Sequence, residues 1–361
     1  AKNQTDQDNT SNGWGNATLS GVSWNGTALA LDASLDANPP SGTAISRVMD
    51  SGAAVAWNSL AWTPDRPYGK ELPGSAQSES AYSAGNAVMS NNVLLAHFNE
   101  TSGTTFTDSS GSANTISCTD CPTLGGSGRY SNAPTFNGTS HYVDLGTGSA
   151  LNFAANSAFS IEGWVRTSDV AGQIVSFRSS TDQSPVIAIS LGCNGPTTIN
   201  GAIMALLRDN SGGIGYAQLF GPVINDLKWH HFAFTRDTGG TIELFVDGVS
   251  AGNASSSATS GAITTDYRTL GLDRYWAIYG GGTADQKYLA GSIDEVAVYS
   301  RKLSNTEILD RYRRGADFIQ RYVFPGGMLP SPGAFARAAG IDVLRTKLAG
   351  MAISAALTGA G

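Results

Sequence analysis

Short runs in which apolar and polar residues alternate recur at near-regular intervals along the middle of the chain. They cover residues 93–96, 142–145, 159–165, 173–177, 186–191, 202–207, 229–235, 242–246 and 293–299, with Gly-, Ser- and Asn-rich turns between them. A period of two marks strands with one buried face, and many short strands with turn signals between them predict a β-sandwich. In the run from Phe159 to Arg166, the alternation sends Phe159, Ile161, Gly163 and Val165 to one face. It leaves Ser160, Glu162, Trp164 and Arg166 on the other. The period changes once, after Ser304-Asn305-Thr306-Glu307, a capping box in which the Ser hydroxyl and the Glu carboxylate satisfy free N–H groups of a first helical turn. Ile308, Leu309 and Tyr312 at helical spacing would dock that helix on the sandwich.

The pattern divides the rest of the chain. Residues 1–13 are polar and aperiodic, and read as an arm. Residues 14–73 form a small β module with strand signals at 27–31 and 54–57, and 74–91 read as a Ser-, Ala- and Gly-rich linker. The sandwich occupies 92–316. Residues 317–324 alternate and are expected to complete the N-terminal module, and 325–361 form a tail in which Phe335, Ala339, Ile341, Leu344, Leu348 and Met351 predict an amphipathic helix.

Charge narrows the partners. Lys and Arg number 22 against 29 Asp and Glu, and the cations are dispersed, so the clustered positive surface that nucleic acid needs is missing. The uncharged C-terminal stretch, 348–361, is too short to span a bilayer at about 20 residues. The polar opening Ala1-Lys2-Asn3-Gln4 suits a mature secreted protein or a cloned fragment alike. Of three cysteines, Cys118 and Cys121 stand as C-T-D-C; without a βαβ context for redox chemistry or a second ligand pair for zinc, a loop disulfide is expected.

Five segments occur together in one order: Phe136-Asn137-Gly138-Thr139-Ser140-His141-Tyr142-Val143, Phe159-Ser160-Ile161-Glu162-Gly163-Trp164-Val165, Trp229-His230-His231-Phe232-Ala233-Phe234, Leu244-Phe245-Val246-Asp247-Gly248 and Gly291-Ser292-Ile293-Asp294-Glu295-Val296. This order resembles bacterial laminin-G-like domains of the concanavalin-A-like superfamily. The resemblance implies an all-β antiparallel jelly-roll sandwich in a cell-surface or extracellular protein that binds a glycan or an extracellular protein. Residues 46–62 resemble a short β module that flanks such domains in some bacterial surface proteins. Residues 321–331 resemble a short run in cyclopropane-fatty-acid synthases, but no nucleotide-binding βαβ unit accompanies them.

Several side chains carry candidate chemistry. Glu162, Trp164, Arg166 and His231 would share an outer sheet face, where a Trp between polar groups can stack on a sugar; the alternative is that another part of the chain covers Trp164. The resemblance brings in calcium, expected at the oxygen-rich turn from Asp108 to Asn114 with Asp294 closing the site; the alternative is an Asx-turn at Asp108 and a buried hydrogen bond at Asp294. Related sandwiches include glycoside hydrolases with paired carboxylates, but strict alternation would send Asp294 and Glu295 to opposite faces, so no catalytic residues are expected. The leading reading is a non-catalytic binding or adhesion protein. A structural subunit that self-associates through its termini is the alternative.

Overall fold

The computed structural model describes residues 66–315, apart from 68, 76, 78, 183, 193–198, 212–214 and 274–286, together with short strands at 18–20, 22–24, 29–31, 43–45 and 351–352. The chain divides into two units, 1–69 with 316–361, and 70–315.

In the first unit, Thr18–Ser20 pairs antiparallel with Thr43–Ile45, and Val22–Trp24 with Leu29–Leu31. Met351–Ala352 joins Thr43–Ile45 in parallel. Those two residues fall where helical spacing predicts a tail helix and are instead a strand, their backbone groups paired across the unit rather than along the chain. The predicted strands at 54–57 and 317–324 lie outside the described residues.

The second unit is an all-β jelly-roll sandwich of two antiparallel sheets. In the first sheet the order is Val249–Ala254, Ile242–Val246, Trp229–Arg236, Phe159–Thr167, Ala290–Tyr299, Asn132–Asn137 and Thr123–Ser127, and Asn92–Ala96 also pairs with Ala290–Tyr299. The second sheet runs Ala217–Val223, Ala202–Arg208, Val186–Leu191, Gln173–Arg178, Tyr267–Leu270, Val143–Asp144, Ile116–Ser117 and Thr105–Phe106. Between them lies the core, to which alternate residues contribute: Phe159, Ile161 and Val165 with Phe232, Phe234, Ile293 and Val296 from one side, and Val175, Phe177, Ile187, Ile189 and Leu270 from the other. Each such side chain contributes about 1.5–3 kcal/mol by leaving water.

A second apolar layer forms on the outer side of the first sheet. Leu95, Ala233, Phe245, Ala297 and Tyr299 pack there against Leu72, Leu303 and Ile308, with Ala87 and Met89 alongside. Two elements build this cover. One is the closing helix, Asn305–Gly315, whose predicted capping box is in place: Glu307 donates its N–H to Ser304 Oγ, and Ser304 donates its own N–H to Glu307 Oε2. The other is the segment 70–91, which sequence composition reads from residue 74 as a linker. It is instead a strap tied down along its length: Asn86 Nδ2 donates to the Tyr82 carbonyl, the Ala87 N–H to Glu79, and the Val88 carbonyl accepts from Arg301 and Arg311. Polar composition mimics a linker here because the strap is held by backbone and charged groups more than by apolar side chains.

Candidate functional site

Glu162 and Trp164 of the Phe159–Thr167 strand and His231 of the neighbouring Trp229–Arg236 strand meet what the cover brings to them. Glu162 is 1% exposed, Trp164 3% and His231 1%. The expected shared face is real, since Trp164 pairs across the strands with His231, their rings 5.2 Å apart. It is nevertheless no open ligand platform. Trp164 stacks on Tyr312 of the closing helix and meets Tyr130 edge-on, and the Arg129 guanidinium lies 5.2 Å from its ring. Gly315 completes the lid: a Cβ there would sit 2.3 Å from the Trp164 ring, so only glycine lets the helix end come this close. Of the four expected ligand residues Arg166 alone is exposed, and it lies beside the ring of Trp229.

Glu162 is the centre of the buried network. Its Oε1 accepts from Arg311 Nε at 2.7 Å and from the Tyr299 hydroxyl at 2.9 Å, and His231 Nε2 stands 3.4 Å from Oε2. Burial works against its charge, but Arg311 and His231 outweigh burial and hold the Glu162 carboxyl below its ordinary range. Arg314 binds Glu79 with both terminal nitrogens. Arg311 and Arg314 escape a reading by periodicity because arginines on a short helix normally mark its wet side; here both are buried and point at acids.

Asp294 and Glu295 overturn the alternation argument. The pairing of Glu162 with Ala297 and of Trp164 with Asp294 leaves one extra residue on the Ala290–Tyr299 strand, a β-bulge, and Glu295 takes the left-handed φ of 52°. Ile293 and Val296 on either side face the core, so both acids turn outward together. Asp294 Oδ2 accepts the Arg129 and Tyr130 N–H groups at 2.6 and 3.0 Å, while its Oδ1 has no hydrogen-bond partner. Glu295 accepts from Leu72 N–H at 3.0 Å and pairs with His97 Nδ1 at 2.5 Å. Burial and then the Glu295 charge push Asp294 well above the carboxylate range; burial also raises Glu295, against the pull of His97.

The expected calcium residues do not form one site. Asp108 Oδ1 accepts the Leu95 and Ser110 N–H groups, and Oδ2 accepts the Asn114 N–H and side-chain amide, so its carboxylate is filled by an Asx-turn. Leu95 pairs with Ala297, three residues beyond Asp294 and about 10 Å along the strand. Cys118 and Cys121 are bonded to each other.

The second sheet leaves its outer face differently. Register places Tyr267, Arg178, Val186 and Arg208 in one cross-strand row, and Thr269, Ser176, Ala188, Leu206 and Gln218 in the next. Arg178 is clamped by Asp273 through two bonds of 2.7 Å. On the edge strand, Gln218 and Phe220 alternate outward, and Tyr216 precedes them on the same face. Tyr216 is 54% and Phe220 46% exposed.

A laminin-G family model, described as the concanavalin A-like lectin/glucanases superfamily, matches residues 137–309. Over those residues the sandwich is similar to laminin-G-like domains. Similar solved structures include the binding domain of Paraclostridial Mosquitocidal Protein 1, at 16% identity and a TM-score of 0.48 over 62% of this chain and 52% of that one. Another is the botulinum neurotoxin serotype D ligand-binding domain in complex with N-acetylneuraminic acid, at 15% identity and a TM-score of 0.47 over 62% and 51%. Domain 4 of AbnA, a GH43 extracellular arabinanase from Geobacillus stearothermophilus, in complex with arabinotriose, has 19% identity and a TM-score of 0.43 over 61% and 97%. The chain spans about half the length of the two toxin domains, and these likenesses concern the fold. No curated protein matches the sequence. Among the described residues, no helix is long and apolar enough to cross a membrane.

Proposed function

We propose that the sandwich is a non-catalytic glycan-binding module whose ligand surface is the outer face of the second sheet near its edge strand. The observation that carries this is the stripe Tyr216, Gln218 and Phe220 beside Met204, Leu206 and Arg208. Two exposed aromatic rings on one face offer stacking surface to sugar rings, and Gln218 and Arg208 supply hydrogen-bonding groups between and beside them. The family's own breadth, lectins and glucanases alike, makes the site rather than the fold the argument.

A hydrolytic reading has to use Glu162, Asp294 or Glu295, because the bulge gathers these acids on one face. Against it stands their burial: each is at most 2% exposed, beneath the closing helix and the strap. Acid catalysis at a glycosidic bond requires the sugar to reach between the carboxyls. An extracellular setting is supported by the Cys118–Cys121 bond, since disulfides persist in oxidising compartments. Adhesion at a cell surface follows as the biological use of such a module.

The test is a glycan array probed with the full chain, followed by titration of any hit against Tyr216→Ala/Phe220→Ala. The reading expects specific hits whose affinity falls at least about tenfold in the variant, as for loss of an aromatic anchor. Hits that bind the variant as tightly as the unaltered chain would move the ligand surface elsewhere.

A further inference from the structure

Glu71, His97 and Glu295 come from the strap, from the residue just after the Asn92–Ala96 strand and from the bulge, and meet at one point. Their donor atoms all lie within 4.8 Å of one another, the one such group of His, Cys, Asp or Glu side chains among the described residues. In sequence the four histidines have no ligand partners at metal-binding spacing; the fold assembles a set that spacing cannot display. We propose that Glu71, His97 and Glu295 form a binding site for a zinc-type divalent cation.

The donor set is right for such an ion. One imidazole and two carboxylates are three protein ligands of the kind zinc takes, leaving a fourth position for water, and the imidazole favours a transition ion over calcium, which prefers oxygen throughout. An ion about 2.1 Å from each donor needs donors near 3.4 Å apart, so pairs as wide as 4.8 Å close by about 1.4 Å while His97 Nδ1 and Glu295 Oε1, now 2.5 Å apart, open by about 0.9 Å. The carboxylates are already oriented from outside: Asn99 Nδ2 donates to Glu71 Oε1 at 2.8 Å, and the Leu72 N–H to Glu295 Oε2 at 3.0 Å. His97 keeps 18% of its side chain exposed, which leaves a way in.

A separate observation shows a buried polar group left unsatisfied beside this cluster. Asp294, next to Glu295 and turned to the same face by the bulge, is fully buried, and its Oδ1 has no hydrogen-bond partner. A buried carboxyl oxygen without a partner, next to a second buried acid, is expensive unless a cation or a donor meets it. The left-handed backbone at Glu295, costing roughly 1–2 kcal/mol for an L-residue, is what sets this arrangement.

The experiment is calorimetric titration of the metal-free full chain with zinc chloride, in a Cys193→Ser background so that no thiol outside the Cys118–Cys121 bond competes. The proposal expects one zinc per chain with a Kd of about 1 µM or tighter. His97→Gln abolishes that binding and Glu71→Gln, a milder change at a half-buried residue, weakens it at least about tenfold. His230→Gln, which alters the other histidine held between two carboxylates, leaves it unchanged. X-ray absorption of the zinc-loaded unaltered chain reads the ligands directly and does not depend on any variant folding; it should show one imidazole with oxygen neighbours. No zinc bound at about 100 µM, equal binding by Glu71→Gln, or a first shell without imidazole each overturn the assignment.

Discussion

The outer faces of the two sheets begin from the same alternation and end in opposite states. On the first sheet the polar residues Glu162 and His231 and the ring of Trp164 are roofed by the closing helix and the strap, and every charge among them finds an internal partner. On the second sheet the edge stripe from Tyr216 to Phe220 carries large rings that the chain leaves in water. An outward Trp among polar groups therefore does not by itself mark a ligand site. Burial of the partners decides it, and the two faces respond differently to substitution.

The largest contrast is expected between a buried charge under the roof and an exposed ring of the stripe. Arg311→Met leaves Glu162 buried without its main cation and should cost about 3–5 kcal/mol in urea unfolding, whereas trimming an exposed ring of the second sheet, Tyr216→Ala, should stay within about 0.5 kcal/mol. Adding Glu162→Gln to Arg311→Met should restore part of the loss; no restoration would mean that the pair does not act as a unit.

Next comes the roof itself. Gly315→Val drives a branched side chain into the Trp164 ring and should destabilise by about 1–3 kcal/mol, with Trp164 fluorescence shifting toward that of a wetter indole. Ser304→Ala removes the N-cap of the same helix and should cost about 1 kcal/mol. Glu307 gives that cap a pH signature. Burial opposes its charge, but Arg301 and Ser304 outweigh burial and hold its carboxyl at about 2. Its contribution is thus present above the ordinary carboxylate range and is lost as pH falls toward 2, a loss that Glu307→Gln should flatten in acid unfolding curves.

The smallest effect lies at the end of the first sheet. His230 is held between Asp247 and Asp226, at 2.8 and 3.0 Å. Burial lowers its pKa, but the two carboxylates outweigh burial and the folded value is raised. The stabilisation is therefore complete below about 6.5 and fades as pH rises through the folded value. His230→Gln should lower stability at pH 5.5 more than at pH 8.5; the reverse order would contradict the pairing.

Much of the sandwich was legible because alternation is local. The inward set Phe159, Ile161 and Val165 and the capping box Ser304 to Glu307 follow from residues within one strand or one turn. The site was less so, because its determinants are non-local. A single bulge at Glu295 reverses the facing of Asp294 relative to its neighbour, and no turn-type residue announces it. The burial of Arg311 and Arg314 depends on acids more than 140 residues away in the first case and more than 230 in the second. The strap looked like a linker because its ties run through backbone groups and the carboxylates of Glu71 and Glu79, which composition does not reveal. The left-handed Glu295 and the convergence of His97 with Glu71 have no signal in a single sequence.

The most direct measurement compares one array-identified glycan on two variants, Tyr216→Ala/Phe220→Ala and Trp164→Phe, by titration of the full chain. A loss of at least about tenfold in affinity for the first with little change for the second is the predicted result. Undiminished binding by the first and loss in the second would contradict the account, and would mean that the roof over Trp164 opens to admit the ligand.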